Sequence, residues 1–237
     1  FKSDLSSIND FQMETVQHEN AIRLKASTFV GRTVLVDDCT VHCDTSVDDR
    51  NVMILHGEPG CGKSGLLAAV THGVTKPSRE SENFVFIHVV DSCPGSNVLE
   101  QMLRRLQWAL RDFRRSNGEI RISADPPQSA SDLRAEHHNF LTATAKRYSY
   151  RRFLIVVDAV NQFHEGMKAW EMWWLPRKET TPNVRCMIST LNQEHGTFDN
   201  AQEVCPDAVL RPVLQMSDDD LQGMVSATLA RFNKKLT

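Results

Sequence analysis

Apolar residues fall in two alternating rhythms along this chain. Short unbroken runs read as buried strands: Asn51 to His56, Asn83 to Val90 (NFVFIHVV), Arg152 to Asp158 (RFLIVVD) and Val184 to Thr190 (VRCMIST). A fifth run, Ala208 to Leu214, contains Pro212, which suits an edge strand. Between them the apolar positions recur at helical spacing. Gly62 to Val74 carries Leu66, Leu67, Val70 and Val74. A helix starting at Ser96 carries Leu99, Met102, Leu103, Leu106, Leu110 and Phe113, with arginines over much of its other face. Asp132 to Tyr148 is expected to be helical. Ser116 to Ser131, with its SNGE and SADPPQSAS stretches, reads as an exposed loop. Ser217 before Asp218, Asp219 and Asp220 signals a helix start, extending to about Lys235. The serine caps the first turn and the acids suit its positive end.

Strands alternating with helices predict an α/β domain of three layers, with a mainly parallel sheet and ligand binding beyond the carboxyl ends of the strands. Residues 1–28 read as a polar helical linker with a thin apolar stripe of Met13, Val16 and Ile22, and Val47 to Arg50 as a charged turn.

With 237 residues, 41% of them hydrophobic, the chain can bury a sizeable core. A net charge of −3 gives no reason to expect a nucleic-acid partner. Arg104, Arg105, Arg111, Arg114 and Arg115 read as a solvated helix face. No window of about 18 apolar residues is present, so no membrane span is expected. The start, FKSDLSSIND, lacks the plan of a signal peptide. Six scattered cysteines suggest reduced thiols in the cytoplasm. Cys39, His42 and Cys43 have no second ligand pair at zinc spacing. His88 reads as a core residue and His137 and His138 as surface. Trp170, Trp173 and Trp174 read as a buried or partner-facing segment. Asp91 is expected in a turn and Cys93 and Cys186 in the core.

The chemistry concentrates in GEPGCGKS, Gly57 to Ser64. Gly57, Gly60 and Gly62 allow a tight turn whose amides can surround a phosphate at a helix start. Glu58, Pro59 and Cys61 shape the loop. Lys63 supplies charge to the β- and γ-phosphates, and the Ser64 hydroxyl is placed to bind magnesium. Gly65 completes the nucleotide-contacting run. In LIVVDAVNQ, Asp158 stands at a strand tip, where an acid can serve the magnesium shell. At the end of VRCMIST, Ser189 or Thr190 offers a hydroxyl for the γ-phosphate or the attacking water, and Thr190 is taken as the catalytic candidate. In STFVGR, Phe29 or Val30 can pack on a base and Arg32 can reach phosphate.

These four elements, in this order, resemble the NACHT class of signal-transduction ATPases with numerous domains, the STAND class. Ala159 matches the small residue after the Walker B aspartate. WWLPRKETTPNVRCMIST and the closing LQMSDDDLQGMVSATLARFNKKL are similar to the nephrocystin-like and telomerase-associated-protein-like branch. The resemblance covers about Ser27 to Thr237. It implies a P-loop NTPase of the additional-strand type with strand order 5-1-4-3-2. It implies ATP or ADP, or GTP, bound with magnesium at Ser64 and Asp158, and a nucleotide-controlled change that drives oligomerisation in a larger chain bearing effector and repeat domains. The implied boundaries are a nucleotide domain at 29–216 and the start of a helical region at 217–237. The chain ends before the winged-helix region usual in the class, as an excised nucleotide domain would.

One departure bears on mechanism. Asn161 and Gln162 stand where many members of the class carry acids. An amide orients water but is a poor base, so hydrolysis is expected to be slow or absent. Glu165 is a weak substitute by position. A small-molecule kinase would need a set of arginines in a lid to clamp a transferring phosphate, and 116–131 offers Arg121 alone.

Overall fold

Five parallel strands form the centre of the computed structural model, which describes residues 10–44, 50–75, 83–123, 125–231 and 234. The first nine residues of the lead-in, most of the charged turn at 47–50 and nearly all of 232–237 lie outside the described residues. The strands are β1 (Val52–His56), β2 (Asn83–Val89), β3 (Arg152–Asp158), β4 (Val184–Thr190) and β5 (Val209–Pro212). Their order is β2-β3-β4-β1-β5, with every pair parallel. Read from the other edge, this is the expected 5-1-4-3-2. β4 lies between the strand of the glycine loop and the strand of Asp158. β5 is an edge strand, as its proline requires.

The side-chain alternation of each strand sorts the core into two layers. Met53, Leu55, Leu154, Val156 and Met187 face one helical layer, while Ile54, Ile155, Val157, Cys186 and Ile188 face the other. Both faces are covered, so the strands are mainly apolar before their tips, with His88 and Arg185 as buried exceptions. The first layer holds α1 (Asp10–Thr28), α2 (Thr33–His42) and α3 (Lys63–Val74). The second holds α4 (Leu99–Ser116), α5 (Ala130–Arg147), a short 3-10 helix at Gly166–Glu171 and α6 (Thr197–Val204). Another 3-10 turn, Val160–Gln162, follows β3, and α7 (Asp218–Arg231) follows β5.

Several local expectations change. The helix expected from Ser96 begins at Leu99, because Gly95 sits at φ +80° and the Ser96 hydroxyl closes its own turn onto the Cys93 carbonyl at 2.7 Å. α5 begins at Ala130, two residues before Asp132, because Ser129 Oγ caps it by accepting from the Asp132 amide at 3.1 Å. Ser217 caps α7 in the same way, accepting from the Asp220 amide at 3.1 Å. α7 ends at Arg231.

The stripe expected in α1 is only partly used. Ile22 is buried, but Met13 and Val16 are half exposed. A polar residue does the rest: buried His18 accepts at Nδ1 from the Val89 amide at 3.0 Å. That amide lies on the open edge of β2, and capping it removes an unpaired strand group.

The arginine face of α4 is not wholly solvated. Arg105 is 1% exposed and Arg111 is 8%. Arg105 lies over the Phe86 ring at 4.2 Å and donates to the Ile87 carbonyl, a second open group on the same edge. His137 is buried and His138 half-buried, against the surface expectation. Their Nε2 atoms meet the carbonyls of Trp174 (2.8 Å) and Trp173 (2.6 Å). They pin the tryptophan segment to α5, with Trp174 in the core. Asp91 is an exposed turn residue with φ +61°.

Candidate functional site

The loop from Gly57 to Gly62 joins β1 to α3 at the carboxyl edge of the sheet. Gly57 has φ +154°, and an added Cβ would stand 2.4 Å from the Val213 carbonyl oxygen. Gly62 caps α3 with φ +93°, and its added Cβ would meet the Met216 methyl at 2.8 Å. At Gly57 both backbone conformation and close approach require glycine, and at Gly62 the left-handed backbone favours it, since the methionine methyl can move aside. Cys61 is fully buried beneath the loop, while Glu58, Pro59 and Gly60 face outward. Lys63 Nζ donates to the carbonyls of Gly57 (2.9 Å) and Glu58 (2.8 Å), so its ammonium lies across the loop's mouth.

The predicted acid and hydroxyl meet. Ser64 Oγ donates to Asp158 Oδ1 at 2.9 Å, across 94 residues of sequence. Asp158 is fully buried at the tip of β3. Ser189 Oγ donates to the same carboxylate oxygen at 2.5 Å and accepts from the Ala159 amide at 2.8 Å. Ala159 adopts φ +62°, ψ +49°, a left-handed conformation that costs an L-residue about 1–2 kcal/mol. Ser189 ties down the backbone that has to turn there.

Thr190 is also buried, but on the opposite side of the strand. Its hydroxyl pairs with Thr197 Oγ1 at 2.6 Å, at the start of α6. Of the two hydroxyls at this strand tip, the structure brings Ser189 to Asp158 and Thr190 to α6.

The upstream STFVGR segment joins the site as a brace. Arg32 adopts φ +54° and donates from Nη1 to the Cys61 carbonyl (2.9 Å) and from Nη2 to the Leu214 carbonyl (2.6 Å). Its guanidinium therefore links the glycine loop to the segment after β5. Phe29 packs on Gly65, where an added Cβ would stand 3.0 Å from Cδ2 of the ring. Val30 lies toward Gly223 of α7.

Asn161 and Gln162 occupy the turn after β3. Gln162 is exposed and so is Glu165. Asn161 is buried, and its amide donates to Glu194 Oε2 at 2.6 Å. His56, at the tip of β1, meets Asn192 Oδ1 at 2.9 Å. The loop after β4 thus reaches both neighbouring strand tips.

Two participants are missing from the sequence reading. Lys25 of α1 places Nζ 2.8 Å from Asp158 Oδ2. Glu194 supplies a carboxylate next to the turn where acids are absent. Neither lies in a recognisable motif. Only the fold closes the 133 residues between Lys25 and Asp158.

The donor set fits a hard divalent cation together with a phosphate. Two side-chain oxygens converge, and magnesium takes one or two protein oxygens and completes its shell with water and phosphate. Among the described residues, no group of three or more His, Cys, Asp or Glu side chains could hold a metal by itself. Among them too, no helix is long and apolar enough to cross a membrane.

Comparison with known proteins agrees with this geometry. The family model described as nephrocystin 3, N-terminal, matches residues 30–190. NACHT and WD repeat domain-containing protein 2 of Mus musculus is 28% identical over 153 residues, and its Homo sapiens counterpart 29%. Each match covers 62% of this chain and 8% of the relative, so the chain corresponds to a small part of those proteins. A Walker-type ATPase of Pyrococcus abyssi has a similar fold, with a TM-score of 0.50 and 14% identity, covering 85% of this chain and 59% of that one. With a family match across the glycine loop and all of β1 to β4, the chain belongs to the nephrocystin 3 N-terminal family and is a NACHT-like P-loop NTPase domain.

Proposed function

We propose that this domain binds ATP or ADP, with GTP as the alternative, together with magnesium, and hydrolyses it slowly at most. We further propose that the bound nucleotide controls self-association within a larger multidomain signalling protein of the cytoplasm. The observation that carries the reading is the convergence of Ser64 and Asp158 at 2.9 Å beside a loop that requires glycine at Gly57 and turns through a left-handed Gly62.

Each residue then has a role of its own. The backbone N–H groups that the loop and the start of α3 offer, Pro59 having none, receive the phosphates. Lys63 turns from the loop carbonyls to the β- and γ-phosphates. Ser64 and Asp158 hold the magnesium shell, and the metal, when bound, offsets the phosphate charge. Arg32 keeps the loop's shape through Cys61, and Phe29 and Val30 border the base. Asn161 and Gln162 are the candidates for ordering the attacking water, whereas the Thr190 hydroxyl, the other candidate by sequence, is turned to Thr197 of α6.

A second reading is a scaffold that holds nucleotide with little or no turnover. Asn161 favours it: the residue is an amide, and that amide is already committed to Glu194. Neighbouring domains in the parent chain are supported by the relatives' names, which join NACHT to WD repeats, and by the 8% coverage.

The test is to denature the purified protein and identify released nucleotide by chromatography, with Lys63→Ala as control. Near-stoichiometric ADP or ATP in wild type and none in the variant is expected. A wild type that neither carries nucleotide nor takes it up from ATP and magnesium sinks the reading.

A further inference from the structure

We propose that Lys25 is the resident counter-ion of Asp158 and competes with the divalent cation for it, so that metal and nucleotide bind by exchange with the Lys25 ammonium. The inference rests on the nucleotide-binding reading above and deepens it. It assigns a residue outside the 30–190 family match to the cation locus.

Asp158 is fully buried, and a buried carboxylate must be compensated. Its two oxygens are compensated differently. Oδ1 takes the hydroxyls of Ser64 and Ser189, at 2.9 and 2.5 Å. Oδ2 takes Lys25 Nζ at 2.8 Å. Among the described residues no other ion pair to Asp158 is formed.

A magnesium ion shared by Ser64 and Asp158 would lie within a few ångströms of that ammonium. It would need an oxygen lone pair where Ser64 now donates a proton. Two cations at such a distance repel each other. One carboxylate cannot serve both fully. Lys25 can leave without unfolding α1, because its side chain is 36% exposed while His18 and Ile22 keep the helix anchored. Its place in the last turn of α1 gives it a second favourable setting, near the negative end of that helix.

Two measurements test the exchange. The first is amine labelling of the wild-type protein, read at Lys25 by mass spectrometry. Labelling should be low without divalent ion and rise several-fold with ADP plus magnesium, but not with ADP plus a chelator. Unchanged or reduced labelling in bound, magnesium-loaded protein overturns the proposal. The second is an ADP titration across magnesium concentrations. In Lys25→Met the magnesium concentration for half-maximal binding should fall by about tenfold, the effect of removing one competing charge. Lys25→Arg should stay near wild type. A midpoint that does not move in Lys25→Met overturns the proposal while leaving nucleotide binding intact. Should Lys25→Met fail to fold, the labelling result decides. Absence of ADP binding in wild type removes the nucleotide reading, and the proposal with it.

Discussion

The amide of Asn161 donates to Oε2 of Glu194 at 2.6 Å and so ties the turn after β3 to the loop after β4. Asn161 is buried and Glu194 is nearly half exposed, so the bond is charge-assisted but partly screened. Asn161→Ala should cost about 1–2 kcal/mol of stability by leaving the loop unheld. Glu194→Gln should cost less, because an amide oxygen can still accept. Thermal melting of the two variants checks the ranking. A larger loss in Glu194→Gln would mean that the carboxylate has another partner.

The two hydroxyls at the end of β4 should separate cleanly on mutation. Ser189 serves Asp158 and the Ala159 amide, whereas Thr190 serves Thr197. Ser189→Ala leaves the Ala159 N–H without its partner and removes one donor from Asp158. We expect about 1–3 kcal/mol of lost stability and weaker magnesium-dependent ADP binding. Thr190→Val should lower the melting temperature and leave ADP affinity within about twofold, since its hydroxyl points to α6. Calorimetric ADP titration of both variants distinguishes them. Equal losses of affinity would show that Thr190 also reaches the nucleotide.

Acid should weaken this fold through histidines that are held neutral. Burial, with Arg105 nearby, pushes His18 down to about 3, and burial, with His138 nearby, pushes His137 down to about 4. His88 is lowered well below its usual range by burial, with Arg105 and His18 adding to it. Geometry gives the same answer for His18, whose Nδ1 must keep a lone pair for the Val89 amide. The unfolded chain takes up these protons near pH 6.5, whereas in the folded chain His18 and His137 resist until about pH 3–4. Their stabilisation is therefore complete above pH 6.5 and is lost as pH falls toward 4. His18 and His137 each contribute roughly 1–2 kcal/mol of that loss between pH 7 and pH 5. Denaturant unfolding at several pH values should show the decline, and His18→Gln should flatten it. A stability profile level from pH 7 to pH 5 would refute this account.

Strand positions and the phosphate loop were legible in the sequence because each depends on local pattern. RFLIVVD can hardly be other than a buried strand, and GEPGCGKS carries its own geometry. The class resemblance then supplied the placing of β4 between β1 and β3, which periodicity alone does not contain. What escaped were polar residues buried by distant partners. Arg105 looks like one arginine among five until Ile87 and Phe86 of the sheet edge come to lie beneath it. His137 and His138 look solvent-facing until the tryptophan segment folds over α5. Lys25 sits in a weakly patterned helix, and no rule of spacing connects it to Asp158. The choice between Ser189 and Thr190 depended on which of them shares a face of the sheet with Asp158, a matter of register.

Gln162 offers the direct test of why turnover should be slow. It lies in the turn after Asp158, is exposed, and its backbone amide is fixed to the Ala159 carbonyl at 2.9 Å. The side chain can therefore be changed without disturbing the turn. An amide at this point can order a water molecule but cannot take its proton. Gln162→Glu places a carboxylate in the same turn, at a surface position where an added charge costs little stability. General-base catalysis is worth about 10²–10⁴-fold, so phosphate release under saturating ATP and magnesium should rise by about a hundredfold or more. Lys63→Ala in the same background should abolish the gain, which excludes a contaminating ATPase. No gain in a protein that still binds ATP would mean that proton removal does not limit the rate.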